Sequence, residues 1–288
     1  RRKTLENRRP EDFKFSAFLK ENIYGEIQMI KFCILYSGSS GNSTYIESEN
    51  SKILIDAGVS CQKISKALAS IGVELDEISA ILITHEHIDH TKGLTTISKK
   101  FNTPIYATPK TWAQMESLNV PEVCKCFFNA GENFLIGDLD IHPFSIPHDA
   151  TDPCGFSVLS GGKKVTVATD IGHVDESLFL EMKGSDVILI ESNYDNNTLL
   201  CGPYPYFLKK RILSDVGHLS NETTGKLVKR LYENGVNKFI LGHLSKENNF
   251  PELAYRTVFN EINSSDIKKP FELSVAGRDT IDKVTELV

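Results

Sequence analysis

The sequence lacks a long apolar run, a cysteine framework and an excess of positive charge, and each absence argues against a class of protein. No apolar stretch approaches the length of about 20 residues that a membrane-spanning helix needs. The six cysteines are scattered without a CxxC pair, which argues against a disulfide scaffold or a cysteine-ligated zinc. The net charge of −6 argues against a broadly basic surface that binds nucleic acid, so any basic contact surface has to be local. We therefore expect a cytoplasmic protein that is not embedded in a membrane.

The chain of 288 residues is long enough for a sizeable core, and its 40% hydrophobic and 24% charged residues are ordinary for globular proteins. Met29 is the first methionine, and the strand pattern begins directly after it. Residues 1–28 contain no apolar core of a signal peptide. We expect residues 29–288 to form a single domain and residues 1–28 to be an N-terminal extension, which is either a cloning remnant, disordered or a short helix.

Strands dominate the hydrophobic pattern, and helices separate many of them. Predicted strands cover 30–36, 43–47, 53–55, 81–84, 104–107, 138–144, 155–159, 164–169, 187–191, 238–241 and 271–275. Predicted helices cover 61–71, 95–101, 111–118, 223–233 and 251–262. Residues 192–217 are mixed and aromatic and predict no regular element. Strand-rich halves before and after residue 160 favour one pseudo-symmetric sandwich over two independent domains.

A cluster of potential metal ligands follows the apolar strand that ends at Thr84. Neutral imidazole and carboxylate groups suit Zn, Mn or Fe, and no cysteine lies among them. His85 and His87 alternate on one side of the turn and can reach one ion. Asp89 and His90 begin the next helical turn and can reach a second ion. A solvated histidine-rich loop is the alternative, but a chance His-x-His-x-Asp-His directly after a strand is rare.

This motif resembles the signature of the metallo-β-lactamase superfamily. The resemblance implies an α/β (α+β) fold, a four-layer αββα sandwich with two divalent metal ions at one edge of the paired sheets. It also implies that Asp56 orients the ligand turn and that Asp170 bridges the two ions. The implied ligands are His85, His87, His148 and Asp170 for one ion and Asp89, His90, Asp170 and His243 for the other.

The resemblance implies hydrolysis by a hydroxide that bridges the two ions, because coordination lowers the pKa of water towards roughly 7. The best-known β-lactamases would carry cysteine at the Asp170 position, and glyoxalase II-like enzymes would show Gly-His-Thr around His148. A flavodiiron protein would replace His87 by glutamate, and the chain has no room for the long inserted cap of the β-CASP nucleases. The remaining pattern favours the nuclease and phosphodiesterase branches.

Further segments between residues 30 and 280 resemble the bacterial YycJ/WalJ group. They are Ser-Gly-Ser-Ser-Gly-Asn at 37–42, Glu-Ser-Asn at 191–193, Gly-Pro-Tyr-Pro at 202–205, Leu-Lys-Lys-Arg-Ile-Leu-Ser-Asp at 208–215 and Gly-His-Leu-Ser-Asn-Glu at 217–222. This resemblance implies a cytoplasmic 5′→3′ DNA exonuclease that prefers double strands and serves mismatch repair. The chain departs from the group at Tyr194, where the group's pattern has histidine. If that histidine contributes to the site, a phenol has to replace it here.

Two residues are expected to act in catalysis, Asp89 and His218. His218 can contact the scissile phosphate or protonate the leaving oxygen, because histidine titrates near neutral pH. A capping or core role for His218 is the alternative. The residues expected to contact the substrate are Ser39, Asn42, Lys209, Arg211, Ser220 and Asn221.

Each proposed substrate contact has a structural alternative. The basic cluster at 209–211 suits a phosphodiester backbone, although a solvated helix face explains it equally well. The loop at 37–42 can present backbone N–H groups to a terminal phosphate or can be a tight hairpin turn. Tyr204, Tyr206 and Phe207 can stack on bases, although aromatic residues beside Gly-Pro more often pack a loop.

Three other functions compete with a DNA exonuclease. An endoribonuclease resembling the tRNA 3′-processing enzyme would carry a long flexible arm, and no such insertion is visible. A small-molecule hydrolase acting on lactones, thioesters or cyclic nucleotides predicts a small closed pocket without a basic path to the metals. A binding module with a vestigial site would be expected to have lost a ligand, whereas the implied set is intact.

Overall fold

A computed structural model describes residues 29–288, so the expectation for residues 1–28 lies outside the described residues. The strands are β1 (Ile30–Tyr36), β2 (Ser43–Glu47), β3 (Lys52–Ile55), β4 (Ala80–Leu82), β5 (Ile105–Ala107), β6 (Lys125–Phe127), β7 (Phe134–Ile136), β8 (Leu139–Ser145), β9 (Cys154–Ser160), β10 (Lys163–Ala168), β11 (Val187–Glu191), β12 (Lys238–Gly242), β13 (Glu272–Val275) and β14 (Thr285–Leu287). The α-helices are α1 (Cys61–Ser70), α2 (Ile88–Thr91), α3 (Leu94–Phe101), α4 (Pro109–Gln114), α5 (Glu176–Met182), α6 (Asn196–Cys201), α7 (Tyr206–Ile212), α8 (Asn221–Glu233) and α9 (Pro251–Asn263).

The strands form two seven-stranded sheets. The first has the order β14-β1-β2-β3-β4-β5-β6, and the second has the order β13-β12-β11-β10-β9-β8-β7. Strands β3 to β6 run parallel, and so do strands β10 to β13. Because parallel strands end at the same edge of a sheet, the loops that follow them are brought together there.

The two sheets face each other across an apolar core. Phe32 of the first sheet and Phe156 of the second are buried in this shared core. Helices α1, α3 and α4 cover the outer face of the first sheet, where Ile64 is fully buried. Helices α5, α8 and α9 cover the second sheet, where Val228 is fully buried. The predicted four-layer αββα sandwich is therefore confirmed.

The boundary between the two halves differs from the prediction. The first sheet ends at Phe127 and the second begins at Phe134, so the division lies near residue 130 and not at residue 160. The predicted hairpin around Gly161 and Gly162 is present as β9 and β10, but both strands belong to the second sheet. The C-terminal strand β14 returns to the first sheet and pairs with β1. Strands of three residues, such as β6, β7 and β14, are too short to show an alternating pattern.

Two short helices occupy the segment for which no regular element was predicted. Helix α6 begins after Asp195, whose side chain accepts a hydrogen bond of 2.7 Å from the backbone N–H of Thr198. Helix α7 begins directly after Pro205. Elements of six or seven residues do not complete enough turns to reveal a period of 3.6, so the capping residue and the proline are the available signals.

Among residues 29–288, no helix is both long and apolar enough to cross a lipid bilayer. The six cysteines all carry free thiols. Burial raises the pKa of Cys33 and Cys154 to about 12, so these two thiols are core groups without nucleophilic character at neutral pH.

Candidate metal centre

Polar side chains follow the carboxyl ends of strands in both sheets. Asp56 follows β3, Asp170 lies two residues after β10, and His243 follows β12. All three have left-handed backbone conformations, with φ of 64°, 61° and 54°. Residues other than glycine adopt this conformation rarely, and such strain concentrates at functional sites. The three turns therefore mark this edge of the sandwich as a candidate site.

The turn between β4 and α2 is held by two neighbouring loops. The N–H of Asn42 donates to the carbonyl of Asp89, and the N–H of Ala57 donates to the carbonyl of His90, both at 2.8 Å. Gly58 packs so closely that a Cβ atom there would lie 1.6 Å from the Asp89 carbonyl oxygen. This close approach requires glycine and fixes the backbone that carries Asp89 and His90.

The first group of potential ligands consists of His85, His87 and His148. His85 Nε2 lies 3.0 Å from His87 Nδ1, and the His148 ring centre lies 5.0 and 5.2 Å from those of His85 and His87. His148 Nδ1 lies 3.2 Å from the carbonyl oxygen of Gly217, which leaves Nε2 turned toward the group. Two imidazole nitrogens 3.0 Å apart require a proton or a cation between their lone pairs.

The second group consists of Asp89, His90 and His243. His90 Nε2 lies 3.6 Å from Asp89 Oδ2, and the rings of His90 and His243 are stacked with centres 6.0 Å apart. His90 Nδ1 lies 2.7 Å from Asp56 Oδ2. This contact orients the imidazole so that Nε2 faces the group, as carboxylates commonly do behind metal-binding histidines.

Asp170 joins the two groups. Its Oδ1 lies 3.7 Å from His148 Nε2 in the first group and 3.3 Å from His243 Nε2 in the second. Its Oδ2 lies 3.4 Å from His90 Nε2. The carboxylate therefore contacts a member of each group from a fully buried position.

Unpaired buried atoms indicate that these donors fit cations. His148 Nε2 and Asp170 Oδ2 are buried and have no hydrogen-bond partner within residues 29–288. Burial lowers the pKa of His85 and His243, so both imidazoles are neutral near pH 7, which is the form that binds a metal. Buried polar atoms without partners are costly, and a metal ion at each group would satisfy them.

The charges around the second group also favour a bound cation. Burial opposes a positive charge on His90, but the carboxylates of Asp56, Asp170 and Asp89 outweigh it and raise the pKa of His90 to about 10. Three carboxylates around one buried imidazole form a strongly negative environment. Divalent cations would neutralise this charge, so the residues present fit a metal centre.

The variant Asp56→Asn tests whether Asp56 supports metal binding by the second group. Asp56 Oδ1 accepts a hydrogen bond of 2.9 Å from the N–H of Thr84, while Oδ2 contacts His90. Asparagine tolerates the left-handed backbone but offers no negative charge to His90, so we expect roughly a 10- to 100-fold loss of metal affinity. Metal content after dialysis against graded chelator checks this. Asp138→Asn, which removes a carboxylate bonded to Ser48, is the control; equal affinity of both variants would contradict the role of Asp56.

His218 lies beside the ligands and is partly accessible. Its ring stacks on that of His243 with centres 5.4 Å apart, and its side chain is 20% exposed. Burial opposes protonation, but the Glu191 carboxylate, 2.7 Å from Nδ1, outweighs it and raises the pKa of His218 to about 9. Because Nδ1 is held by Glu191, Nε2 is the atom that can donate a proton.

Glu191 is a site residue that sequence reasoning missed. It ends the apolar strand β11 and is fully buried. Its Oε2 accepts hydrogen bonds from the N–H groups of Ile171 at 2.7 Å and Leu219 at 3.2 Å, while Oε1 contacts His218. Both oxygens are thus engaged, which favours a role in positioning His218 over a role as a metal ligand. A glutamate at the end of an otherwise apolar strand is the signal that could have indicated it.

Thr84 is a second site residue that sequence reasoning missed. Its hydroxyl donates to Asp56 Oδ2 at 2.9 Å and lies 3.0 Å from His85 Nδ1. It also lies 3.1 Å from His90 Nδ1, so one hydroxyl contacts a histidine of each ligand group. No sequence signal distinguishes this threonine from the many that end strands.

Two of the residues expected to contact the substrate lie at the mouth of the site. Ser39 and Arg211 line a cleft of about 160 Å³ together with His218. Arg211 is exposed and forms an ion pair with Asp149, the residue after His148. This guanidinium therefore lies where a phosphate approaching the ligand groups would meet it.

The other four expected contact residues use their side chains inside the protein. Lys209 Nζ donates to two carbonyl oxygens at the end of α6 at 2.7 and 2.8 Å. The Asn42 side-chain nitrogen lies 3.1 Å from His90 Nε2. Ser220 caps α8, and Asn221 is fully buried with a hydrogen bond to the Ser192 hydroxyl. These contacts favour structural roles for all four.

Tyr194 lies in a small apolar cluster beside the site. Its side chain is buried and packs with Leu199 and Ile212. The preceding residue, Asn193, donates a hydrogen bond of 2.8 Å from Nδ2 to the carbonyl oxygen of His243. The phenol supports the loop against α6 and α7.

The segments that match known proteins include the region of the candidate site. A family model described as the Beta-lactamase superfamily domain matches residues 51–244. The chain is 40% identical over 263 residues to the exodeoxyribonuclease WalJ of Streptococcus pneumoniae, which covers 89% of this chain and 98% of that protein. It is 36% identical over 231 residues to the exodeoxyribonuclease YycJ of Bacillus anthracis, which covers 80% of this chain and 88% of that protein.

A similar fold is present in solved structures. The metallo-β-lactamase fold protein YhfI from Bacillus subtilis aligns with a TM-score of 0.65 at 14% sequence identity, covering 88% of this chain and 99% of that one. At this level of identity the likeness supports the fold alone. It agrees with the two-sheet architecture.

Proposed function

This chain belongs to the beta-lactamase superfamily and, within it, to the group of the WalJ and YycJ exodeoxyribonucleases, and we propose that it is a metal-dependent phosphodiesterase that degrades DNA. The proposed reaction is 5′→3′ exonucleolytic cleavage with a preference for double strands. The observation that carries the proposal is the identity of 40% to WalJ along 98% of that protein. The two ligand groups joined by Asp170 support it, because a pair of metal ions is a common catalyst of phosphodiester hydrolysis.

The proposed enzyme holds one divalent ion at each ligand group. His85, His87, His148 and Asp170 would hold one, and Asp89, His90, Asp170 and His243 would hold the other. When bound, the pair of ions stabilises the negative charge that develops on the phosphate and activates water near neutral pH. Imidazole and carboxylate donors suit Zn, Mn and Fe alike.

Two residues of the chain move protons in the proposed mechanism. The Asp89 side chain is 21% exposed, and its carboxylate can take up the proton of the attacking water. His218 Nε2 donates a proton to the oxygen that leaves phosphorus. Glu191 keeps His218 protonated and fixes its ring through Nδ1. Acid and base thus lie on two different elements around the buried Asp170.

The surroundings of the cleft favour a nucleic acid over a small metabolite. Its lining includes the polar side chains of Ser39, Asn193 and Ser245 and the guanidinium of Arg211. The neighbouring Lys210 is exposed on the same helix, so positive charge continues away from the ligand groups along α7. A phosphodiester backbone would follow such a path, whereas a small-molecule hydrolase would be expected to enclose its substrate.

We extend the proposal to a cytoplasmic enzyme of DNA mismatch repair. The free thiols of all six cysteines are those expected in a reducing compartment. Removal of one strand from a 5′ end is one reaction by which a mispaired segment can be excised. A duplex with a nick on the 5′ side of a mismatch is therefore a substrate that tests this part of the proposal.

The test is digestion of end-labelled duplex DNA with added Mn²⁺ and, in parallel, with chelator. We expect mononucleotides to be released from the labelled 5′ end only with metal, and the nicked strand to be degraded past the mismatch. Single-stranded DNA should be degraded more slowly than duplex. Duplexes with a 5′-phosphate and a 5′-hydroxyl are compared to define the end that the enzyme accepts.

Other outcomes would redirect the proposal. Cleavage of RNA without cleavage of DNA would favour the tRNA-processing class. Turnover of bis-p-nitrophenyl phosphate or a lactone by a metal-loaded sample that degrades neither nucleic acid would favour a small-molecule hydrolase. Arrest of digestion at the mismatch would contradict the repair role and leave the exonuclease proposal intact.

A further inference from the structure

Two neighbouring aromatic side chains at the start of α7 are exposed to solvent. Tyr206 is 82% exposed and Phe207 is 73% exposed, whereas the core phenylalanines are buried. Adjacent exposed aromatic rings are unusual on a protein surface unless they bind something. These two rings do not pack the loop at Gly202–Pro205, which is the structural explanation that the sequence favoured.

One of the exposed rings, that of Tyr206, borders a hollow that adjoins the cleft above the candidate metal centre. Tyr204 lines that cleft and also lines a neighbouring hollow of about 510 Å³. The hollow is lined by Leu200, Tyr204, Tyr206, Lys209, Lys210 and Leu213. A chain that leaves the cleft past Tyr204 therefore enters a hollow with an aromatic wall.

The helix that carries the rings is firmly attached to the protein. Its inner side packs through Leu208 and Ile212 against the buried Tyr194 and Leu199. Lys209 adds two hydrogen bonds to carbonyl oxygens at the end of α6. Because the backbone is held in this way, the exposed rings lose little freedom when a ligand covers them.

Positive charge accompanies the aromatic rings. Phe207 and Arg211 are four residues apart, so they lie about one helical turn apart on the same face of α7. Arg211 borders the cleft, and Lys210 is exposed beside it without an ion pair among residues 29–288. Two aromatic rings are thus followed, within one short helix, by cations that can contact phosphates.

We propose that Tyr206 and Phe207 form a stacking platform for the bases of the DNA strand where they are unpaired at the end of the duplex, while Lys210 and Arg211 contact its phosphates. This inference rests on the proposed function and specifies how the same site holds its substrate. Stacking on aromatic rings accepts every base because each has a π-face, so the platform gives affinity without sequence preference. An exonuclease needs this property, since each cycle presents a different base to the same surface.

The test measures KM and kcat with and without the two aromatic rings, on duplexes with and without bases at the 5′ end. One duplex carries ordinary nucleotides at its 5′ end, and a second carries abasic nucleotides at the same positions. Wild type, Tyr206→Ala/Phe207→Ala and the conservative Tyr206→Phe/Phe207→Tyr are compared on both duplexes. Phe127→Ala is the matched control, since Phe127 is 59% exposed on the edge strand β6.

For the ordinary duplex we expect the double alanine variant to raise KM by about tenfold or more, while kcat changes little. Removal of the bases should raise KM of the wild type by a similar factor and should add little in the double alanine variant. The conservative variant should restore the wild-type KM, because both rings can stack. Phe127→Ala should match the wild type throughout.

Two results would overturn the platform while DNA cleavage by the wild type keeps the proposed function in place. One is an equal effect of base removal in the wild type and in the double alanine variant. The other is a parallel loss of bis-p-nitrophenyl phosphate turnover, which would mean that the substitutions disturb the metal centre. A wild type that cleaves no DNA would overturn the platform and the proposed function together.

Discussion

Asp170→Asn is expected to lower kcat/KM for DNA cleavage by on the order of 10³-fold or more. The Asp170 carboxylate lies 3.7 Å from His148 Nε2, 3.4 Å from His90 Nε2 and 3.3 Å from His243 Nε2, so it contacts both ligand groups. An amide offers one neutral oxygen in place of two charged ones and cannot balance two cations. Asparagine adopts left-handed backbone as readily as aspartate, so the φ of 61° can persist and the fold should survive.

The measurement combines kcat/KM on 5′-phosphorylated duplex with metal content and thermal unfolding, which separates loss of chemistry from loss of fold. Asp186→Asn is the matched control. Its carboxylate accepts a hydrogen bond of 2.8 Å from the N–H of Lys164, at the opposite end of β10 from Asp170. This variant should cleave DNA like the wild type. Full activity of Asp170→Asn with two ions per chain would refute the role of Asp170 as the bridge.

The candidate ligands could be predicted because their signals are local. His85 to His90 follow a short apolar strand directly, and two further candidates, Asp170 and His243, also lie next to strand ends. Strands with a clear apolar pattern, β1, β2 and β11, have the bounds that the sequence predicts. A strand end is visible in one sequence because apolar residues give way abruptly to polar ones.

Contacts between distant segments could not be predicted in this way. Glu191 meets His218 across 27 positions, and Arg211 meets Asp149 across 62 positions. Neither spacing follows from a helix or strand period, so only the folded chain reveals them. The same limit explains the missed helix α7, because helices of this length depend on tertiary contacts for their stability.

His218→Ala is expected to lower kcat on DNA by roughly 10³-fold while metal content stays at the wild-type level. Nδ1 of His218 is fixed by Glu191, so Nε2 is the atom that can protonate the leaving oxygen. The alkoxide that leaves DNA needs this proton, whereas p-nitrophenolate leaves without one. The loss on bis-p-nitrophenyl phosphate should therefore be about tenfold or less. The kcat of Glu191→Gln on DNA should fall between those of the wild type and His218→Ala. The amide keeps a hydrogen bond to His218 but removes the charge that favours the imidazolium.

His142→Ala is the matched control, because His142 Nε2 also contacts a carboxylate, that of Glu181 at 2.7 Å, outside the site. The His142→Ala variant should keep the wild-type kcat on DNA and on bis-p-nitrophenyl phosphate. Equal losses of His218→Ala on the two substrates, or a fall in metal content parallel to the rate, would mean that His218 only supports the ring of His243. Burial and distance do not distinguish a proton donor from a packing residue. The dependence on the leaving group does, because only a proton donor becomes dispensable when the leaving group needs no proton.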